Sequence, residues 1–220
     1  MTSPWLVWQL ADSAFPAGGF AHSGGLEATW QLGAVRDFEA YLDPSLWQTG
    51  SLALPFVRAA CAGRDLVELD ALSDATLSNH VANRASRAQG RAFWATARDV
   101  FDENDAVRAL AERLRGHSMR LSMHYAPVFG VTLGALGLDA REACSVYLHT
   151  ALRGILSAAV RLGIVGPLEA QRLQAARADL LERVLASCAD LQPEDAAQTF
   201  PLADACSALH DGLYARLFQS

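Results

Sequence analysis

The sequence predicts an all-α fold: one domain covering residues 1–220, a bundle of roughly eight to ten helices around a central apolar helix. Three observations support this prediction. The chain has 220 residues, 51% of them apolar and 19% charged, which is typical of one globular domain with a full core. Apolar residues recur at helical spacing in most segments. We find no segment that favours a strand over a helix once its flanking residues are considered.

Helical periodicity and capping residues define the elements in chain order. The ranges 65–74, 79–101, 105–115, 139–165 and 167–191 all favour the helical period over strict alternation. Several of them begin with Asp, Asn or Pro and end near Gly, the residues preferred at helix starts and ends. We therefore predict a helix over each range.

The range 127–138, PVFGVTLGALGL, is the ambiguous element because its β-branched residues also suit a strand. Pro127 is typical of a first helical turn and Gly137 of a helix end, so the flanks favour a helix. Between residues 142 and 165, apolar side chains surround the axis, which predicts the central helix of the bundle. His149, Arg153 and Arg161 within that helix argue against a membrane span.

Composition and charge exclude several classes of function. The net charge of −6 disfavours an extended nucleic-acid surface. All eighteen basic residues are arginine, which excludes any mechanism that needs a lysine of this chain, whether a Schiff base or a P-loop amine. The four cysteines are scattered without a Cys-x-x-Cys pair, which favours free thiols over a zinc site. Residues 1–10 carry no leader pattern, so we expect a cytoplasmic protein without a membrane partner.

The stretch 12–27, DSAFPAGGFAHSGGLE, is the most unusual part of the chain. Its His-Ser-Gly-Gly segment imitates the nucleophile elbow of a hydrolase, but an elbow needs a strand before the serine and none is predicted. Its glycines do not have the spacing of a dinucleotide-binding loop. A tight turn followed by a helix that Ser23 caps, with Glu27 in its first turn, explains the residues better. A small helical hydrolase using Ser23 and His22 is the alternative.

Two further clusters have a structural and a functional interpretation. On the predicted helix 79–101, arginines form a stripe at helical spacing. The stripe is either a solvated face paired with carboxylates such as Glu68 and Asp70, which the acidic total favours, or a site for phosphate or an acidic partner. The stripe consists of Arg84, Arg87, Arg91 and Arg98.

The segment HSMRLSMH suggests soft metal ligands, but no further carboxylate or cysteine is placed to complete a coordination sphere. We therefore predict core packing or surface exposure for these side chains, and no metal site in this chain. The isolated histidines are interpreted in the same way. The segment contributes His117, Met119, Met123 and His124, and the isolated histidines are His22, His80, His149 and His210.

Four stretches, in order, resemble the UreF family of urease accessory proteins. The first, LADSAFPAGGFAHSGGLEATWQLGAV, contains a Pro-x-Gly-Gly-Phe turn and a Ser-x-Gly-Leu-Glu helix start. The others are HYAPVFGVTLGALGL, YLHTALRGILSAAVRLGIVGPLEAQRL and the ending HDGLYARLFQS. Together they extend over nearly the whole chain.

The resemblance implies an all-helical, non-catalytic scaffold without a cofactor of its own. Members of the family bind the accessory protein UreD, also called UreH, form homodimers and recruit the GTPase UreG, so that nickel reaches apo-urease. The resemblance also implies a role in the control of GTP hydrolysis. Nickel is then a cargo of the complex, and this chain more readily lines a wet passage than holds a tight site.

The resemblance also implies partner-binding residues. Ser23 and Glu27 lie in the Ser-x-Gly-Leu-Glu motif, and Glu27 either faces the GTPase or stabilises its own helix start. Arg84 is a weaker candidate. In the carboxyl-terminal segment 202–220, apolar residues recur at helical spacing, which predicts either a segment that docks on the UreD-like partner or a tail that packs on its own domain. The predicted docking anchors are Tyr214, Arg216, Leu217 and Phe218.

Overall fold

A computed structural model describes residues 3–117 and 120–220. Over these residues the chain forms eleven α-helices, three short 3₁₀ turns and no strand, in one all-α domain. The predicted fold class is confirmed, with one helix more than the expected range. The helices are α1 (Pro4–Ala11), α2 (Leu26–Gln31), α3 (Phe38–Cys61), α4 (Leu66–Thr76), α5 (His80–Val100), α6 (Asp105–Gly116), α7 (Tyr125–Ala135), α8 (Ala140–Arg161), α9 (Pro167–Ala176), α10 (Ala178–Ser187) and α11 (Pro201–Ala208), and the 3₁₀ turns are Gly19–Ala21, Pro193–Asp195 and His210–Gly212.

The predicted capping residues begin the helices as expected. The Asn79 carboxamide accepts the backbone N–H groups of Val81 and Ala82 at the start of α5. Asp139 and Glu142 form a reciprocal capping box at the start of α8. Such caps satisfy backbone donors that have no partner inside the helix, each contributing about 1 kcal/mol.

Helix α7 is buried most completely, and α8 has neighbours on most sides, as predicted. Every residue from Ala126 to Leu133 is buried, and α7 packs against both α3 and α5. Helix α8 is long and apolar enough to cross a membrane by length and composition. It nevertheless packs against α3, α7, α9, α10, α1 and α2, and within it only Arg141 and Ser157 are exposed. A helix enclosed on most sides is an internal helix of the bundle, as its apolar pattern predicted.

The sequence did not single out α3, the longest helix, because two prolines interrupt its pattern. Pro55 has no N–H to donate to the carbonyl of Ser51 one turn earlier. That carbonyl instead accepts the backbone N–H of Ala197, at 3.3 Å. The helix therefore continues through the proline because another part of the chain supplies the missing donor.

The range 167–191 forms two helices where one was predicted. The break lies at Arg177, whose side chain is 8% exposed and pairs with both Glu39 and Asp43 on α3. The α9 and α10 helices meet at this residue because its guanidinium is directed inward to those two carboxylates.

The four cysteines are free, as predicted, and burial raises the pKa of the Cys61 thiol to about 11.

Candidate functional site

The glycine-rich corner, residues 12–27, turns the chain from α1 to α2. The Asp12 carboxylate accepts the N–H of Ala14 at 2.7 Å and closes the first bend. Gly18 and Gly25 have φ angles of +75° and +91°, which side chains with a Cβ rarely adopt. A Cβ on Gly25 would also lie 3.2 Å from the Cβ of Ser207 on α11. The corner therefore needs glycine for both its conformation and its packing.

Glu27 is the centre of a buried latch that joins α2 to the tail, residues 209–220. Its side chain is 1% exposed, and His210 beside it is fully buried. The carboxylate accepts His210 Nε2 at 3.0 Å and the backbone N–H groups of Leu217 and Phe218 at 2.6 and 3.1 Å. The other ring nitrogen of His210 has no hydrogen-bond partner among the described residues. Glu27 thus satisfies three donors from a segment about 190 residues away.

The end of the tail binds the corner next to this latch. The carbonyl oxygen of Ser220 accepts the N–H of Ser23 at 2.7 Å and its hydroxyl at 2.9 Å. His22 Nδ1 lies 2.6 Å from the Ser220 hydroxyl. Helix α2 begins after Gly25, so Ser23 does not occupy the capping position that was predicted for it. Its hydroxyl oxygen nevertheless accepts the N–H of Glu27 in the first turn of the helix. The hydroxyl and the imidazole are both engaged by the tail.

This geometry does not support the hydrolase alternative at the corner. The Ser23 hydroxyl donates to a carbonyl, and His22 contacts the hydroxyl of Ser220. The element that precedes the corner is α1 and not a strand. The serine hydroxyl, the imidazole and a carboxylate of the corner are therefore not joined in the hydrogen-bonded series that activates a nucleophile.

An aromatic and cationic stack completes the contact between corner and tail. The guanidinium of Arg161 lies 3.8 Å from the ring centroid of Phe20 and 4.1 Å from that of Phe218. Phe218 is only 5% exposed and belongs to the core. A cation between two aromatic faces adds about 0.5–2 kcal/mol to the packing of the tail.

The predicted site residues divide into an inner and an outer group. Glu27, for which two roles were predicted, and Ser23 are both buried, and Phe218 packs on its own domain. The tail does not continue as a helix, because α11 ends at Ala208 and a single 3₁₀ turn follows. The outer group lies on the surface, where Tyr214 is fully exposed and Leu217 is half exposed. It consists of Tyr214, Arg216 and Leu217.

Arg84 also contacts the tail. Its guanidinium donates to both oxygens of Asp211, at 2.8 and 3.0 Å. The bond from Arg84 holds the pKa of the Asp211 carboxyl below its usual range. Neither Glu68 nor Asp70 pairs with the arginine stripe as predicted: Glu68 pairs with Arg64, and Asp70 is buried and accepts backbone N–H groups.

Behind the corner is a cavity of about 450 Å³ between α3, α5, α7 and α8. Its lining is aromatic and mostly neutral, and includes Tyr125, Tyr147, Gln89 and Arg153. Burial raises the pKa of both tyrosines, which keeps the phenols protonated. Over the described residues, no group of three or more His, Cys, Asp and Glu side chains is arranged to hold a metal ion.

The segment HSMRLSMH separates into exposed and buried residues. His117 is exposed and His124 is fully buried, while Met119 lies outside the described residues. His124 Nε2 lies 2.9 Å from Asp74, and its Nδ1 lies 3.1 Å from the hydroxyl of Ser86. The Ser86 oxygen accepts the N–H of Tyr125 at the first residue of α7. This network fixes the start of α7.

The contact between His22 and the tail predicts a pH dependence. Burial, followed by the charges of Arg84 and His210, lowers the pKa of His22 below the ordinary value of 6.5. The docked tail therefore favours the neutral imidazole, and docking weakens as the pH falls from about 6.5 toward the lowered pKa. We expect amide exchange in the tail, measured at pH 7.5 and 5.5 and corrected for intrinsic rates, to show this loss. The loss should be smaller in His22→Asn, and an equal loss would contradict the assignment.

The sequence is similar to known proteins over nearly the whole chain. The family model described as UreF matches residues 33–178. The chain is 40% identical to urease accessory protein F of Arabidopsis thaliana, over 98% of this chain and 92% of the relative. It is also 40% identical to urease accessory protein F of Oryza sativa subsp. indica, over 98% and 85% of the two chains. A more distant relative, urease accessory protein UreF of Trichodesmium erythraeum, is 28% identical over 96% and 94%.

These relatives define the class, the urease accessory proteins. The chain belongs to the UreF family. The family model leaves out the corner and the tail, whereas the alignments with the relatives extend over nearly all of the chain. Nothing in the sequence indicated that Glu27 and the tail contact each other, although both lie in stretches that resemble the family. His22, Arg161, His210 and Ser220 were not predicted to act in it.

Proposed function

We propose that this protein is a urease maturation factor that acts in the cytoplasm as a non-catalytic scaffold. In this proposal it bridges the accessory protein UreD, or UreH, and the GTPase UreG during nickel delivery to apo-urease, and it modulates GTP hydrolysis by UreG through contact alone. The observation that carries the proposal is the latched tail, in which buried Glu27 holds the backbone while Tyr214, Arg216 and Leu217 remain outside.

The outer residues are of the kinds that dominate protein interfaces. Truncation of tyrosine and arginine anchors commonly costs 2 kcal/mol or more, because these side chains bury a large area. Tyr214 has no cover from its own domain, and Leu209 and Leu217 on the same tail are 59% and 52% exposed. An apolar surface on an ordered segment favours a protein partner. We assign this surface to UreD.

A second exposed aromatic surface supports the proposed homodimer. Trp5 and Trp8 on α1 are 72% and 59% exposed and contact each other edge to face, 4.9 Å apart. Large exposed tryptophans are rare on monomers and typical of interface centres. The mass of the purified protein and of its complex by light scattering tests this part of the proposal.

Nickel is the cargo of the proposed complex and not a resident ion of this chain. The lining of the cavity behind the corner is mostly apolar and includes Arg153 and Arg161, and no group of three His, Cys, Asp or Glu side chains among the described residues is arranged to hold a metal ion. Such a lining does not retain a cation. Equilibrium dialysis should therefore find no stoichiometric, tight nickel in the isolated protein.

Surface variants of the tail test the scaffold proposal. We expect Tyr214→Ala together with Leu217→Ala to weaken co-purification with UreD by about 30-fold or more, about 2 kcal/mol, and to lower urease activation in parallel. Both side chains are exposed, so the thermal midpoint of the variant should stay near that of the wild type.

Leu168→Ala is the matched control, because Leu168 is 75% exposed on α9, away from the tail. It should leave both the complex and urease activation unchanged. Recovery of the full complex by size exclusion from the tail variant, or after deletion of residues 213–220, would count against docking through the tail.

A further inference from the structure

Helix α5 borders a groove, and the tail contacts its wall at Arg84 and His80 through Asp211. The groove has a volume of about 590 Å³ and lies between the start of α5 and the residues before it. Its lining consists of Leu77, Ser78, His80, Asn83, Arg84, Arg87 and Arg91. Three guanidinium groups on successive turns give the groove a positive wall on a chain of net charge −6.

The cations in the groove are unequally neutralised. Arg84 has a carboxylate partner in Asp211. Arg87 donates only to the amide oxygen of Asn83, at 3.4 Å, and Arg91 to the carbonyl of Ser122, at 3.2 Å. In the part of the chain that the structure describes, neither Arg87 nor Arg91 has a carboxylate within 4 Å. Hydrogen bonds from Asn83 and His124, together with the charge of Arg87, lower the pKa of Asp74, so Asp74 offsets Arg87 in part. The charge of Arg91, and part of that of Arg87, is therefore left for an external anion.

Asp211 indicates how such an anion would bind. Its two carboxylate oxygens accept hydrogen bonds from the two terminal nitrogens of Arg84 at 2.8 and 3.0 Å. His80 and Arg216 each lie 3.5 Å from the same carboxylate. Bidentate pairing of this kind is the strongest geometry available to a guanidinium. The tail thus places one acidic residue of the chain itself against Arg84 and His80.

We propose that the groove binds an acidic, extended segment of a protein partner, with Arg87 and Arg91 as its principal contacts. Residues 84 and 91 are about 10 Å apart along the helix axis, which suits a peptide better than one compact phosphate. The side chains of Arg87 and Arg91 start about 6 Å apart, close to the spacing of about 7 Å between alternate residues of an extended chain. Leu77 adds an apolar wall.

Other features of the groove disfavour a phosphate ligand. The first backbone N–H groups of α5, which bind phosphate in many proteins, are already bonded to Asn79. The proposed segment binds on α5 and needs no contact with Tyr214 or Leu217. The inference therefore does not rest on the identity of the partner that docks on the tail.

Binding of a labelled octapeptide with glutamate at alternate positions tests the proposal, by fluorescence anisotropy at low ionic strength. The same peptide with glutamine is expected to bind at least tenfold more weakly. Arg87→Gln with Arg91→Gln should weaken binding of the glutamate peptide about tenfold, and added salt should do the same. Asp211→Asn should strengthen it a few-fold by freeing Arg84.

Arg98→Gln is the matched control, because Arg98 lies on the same helix outside the groove and pairs with Asp99. It should change the peptide affinity by less than twofold. Equal affinity for the glutamate and glutamine peptides, equal effects of the groove and control variants, or no binding at about 1 mM peptide would overturn the proposal. Tighter binding of inorganic phosphate or of a DNA duplex through the same arginines would overturn it as well.

Discussion

Replacing Glu27 by glutamine is expected to release the tail from the corner while the helical bundle stays folded. The carboxylate serves His210 and two backbone N–H groups in a site that excludes water. A glutamine can accept on one side only, and its NH₂ group then faces N–H donors. The loss of these bonds in a buried site should cost about 2–4 kcal/mol.

Hydrogen exchange at the amides of Leu217 and Phe218 measures this loss directly, because both N–H groups donate to Glu27. Their protection is expected to fall about 30- to 1000-fold, the equivalent of 2–4 kcal/mol. Amides of α7 should keep most of their protection. Under the docking proposed for the tail, the variant should also bind UreD more weakly, since it frees the segment that presents Tyr214.

Glu112→Gln provides the control for this prediction. Glu112 lies exposed on α6, and no bond to it is seen among the described residues. Its replacement should leave the protection of the tail unchanged. If Glu27→Gln leaves that protection unchanged too, then Glu27 does not hold the tail and the latch is wrong.

The sequence predicted local features of the fold well and the long-range site poorly. Asn79 and Asp139 were correct as helix starts because a cap depends on residues three positions away. The split of 167–191 depends on Arg177 meeting Glu39 and Asp43, more than 130 residues earlier. The spacing of apolar residues along the sequence gives no sign of an ion pair between residues so far apart.

The same distinction explains the candidate site. The corner was correctly interpreted as a turn, because glycine and proline act locally. The role of Glu27 was open, since its partners His210 and Leu217 are about 190 residues away. Even its burial was unexpected, because a glutamate in a first helical turn is usually exposed. Only the fold brings the two motifs together.

Gly130→Ala is expected to destabilise the whole bundle, because α3 and α7 cross at this residue with their backbones in contact. A Cβ on Gly130 would lie 2.2 Å from the carbonyl oxygen of Val57 and 2.9 Å from its Cα. Both groups are backbone atoms of α3, so no rotamer change relieves the overlap. Gly134, one turn later, has the same relation to Cys61, at 2.7 Å. The helices must therefore separate.

Separation of α3 and α7 opens gaps on both sides of the crossing. We expect a cost of about 3 kcal/mol or more, a large part of the stability of a domain this size. The thermal midpoint should fall by about 10 °C. Gly154→Ala on α8 is the matched control, because no atom outside its own helix lies within 4 Å of the new Cβ. That variant should gain about 0.5–1 kcal/mol from helix propensity. Equal midpoints for the two variants would contradict the close crossing and, with it, the packing that positions the corner.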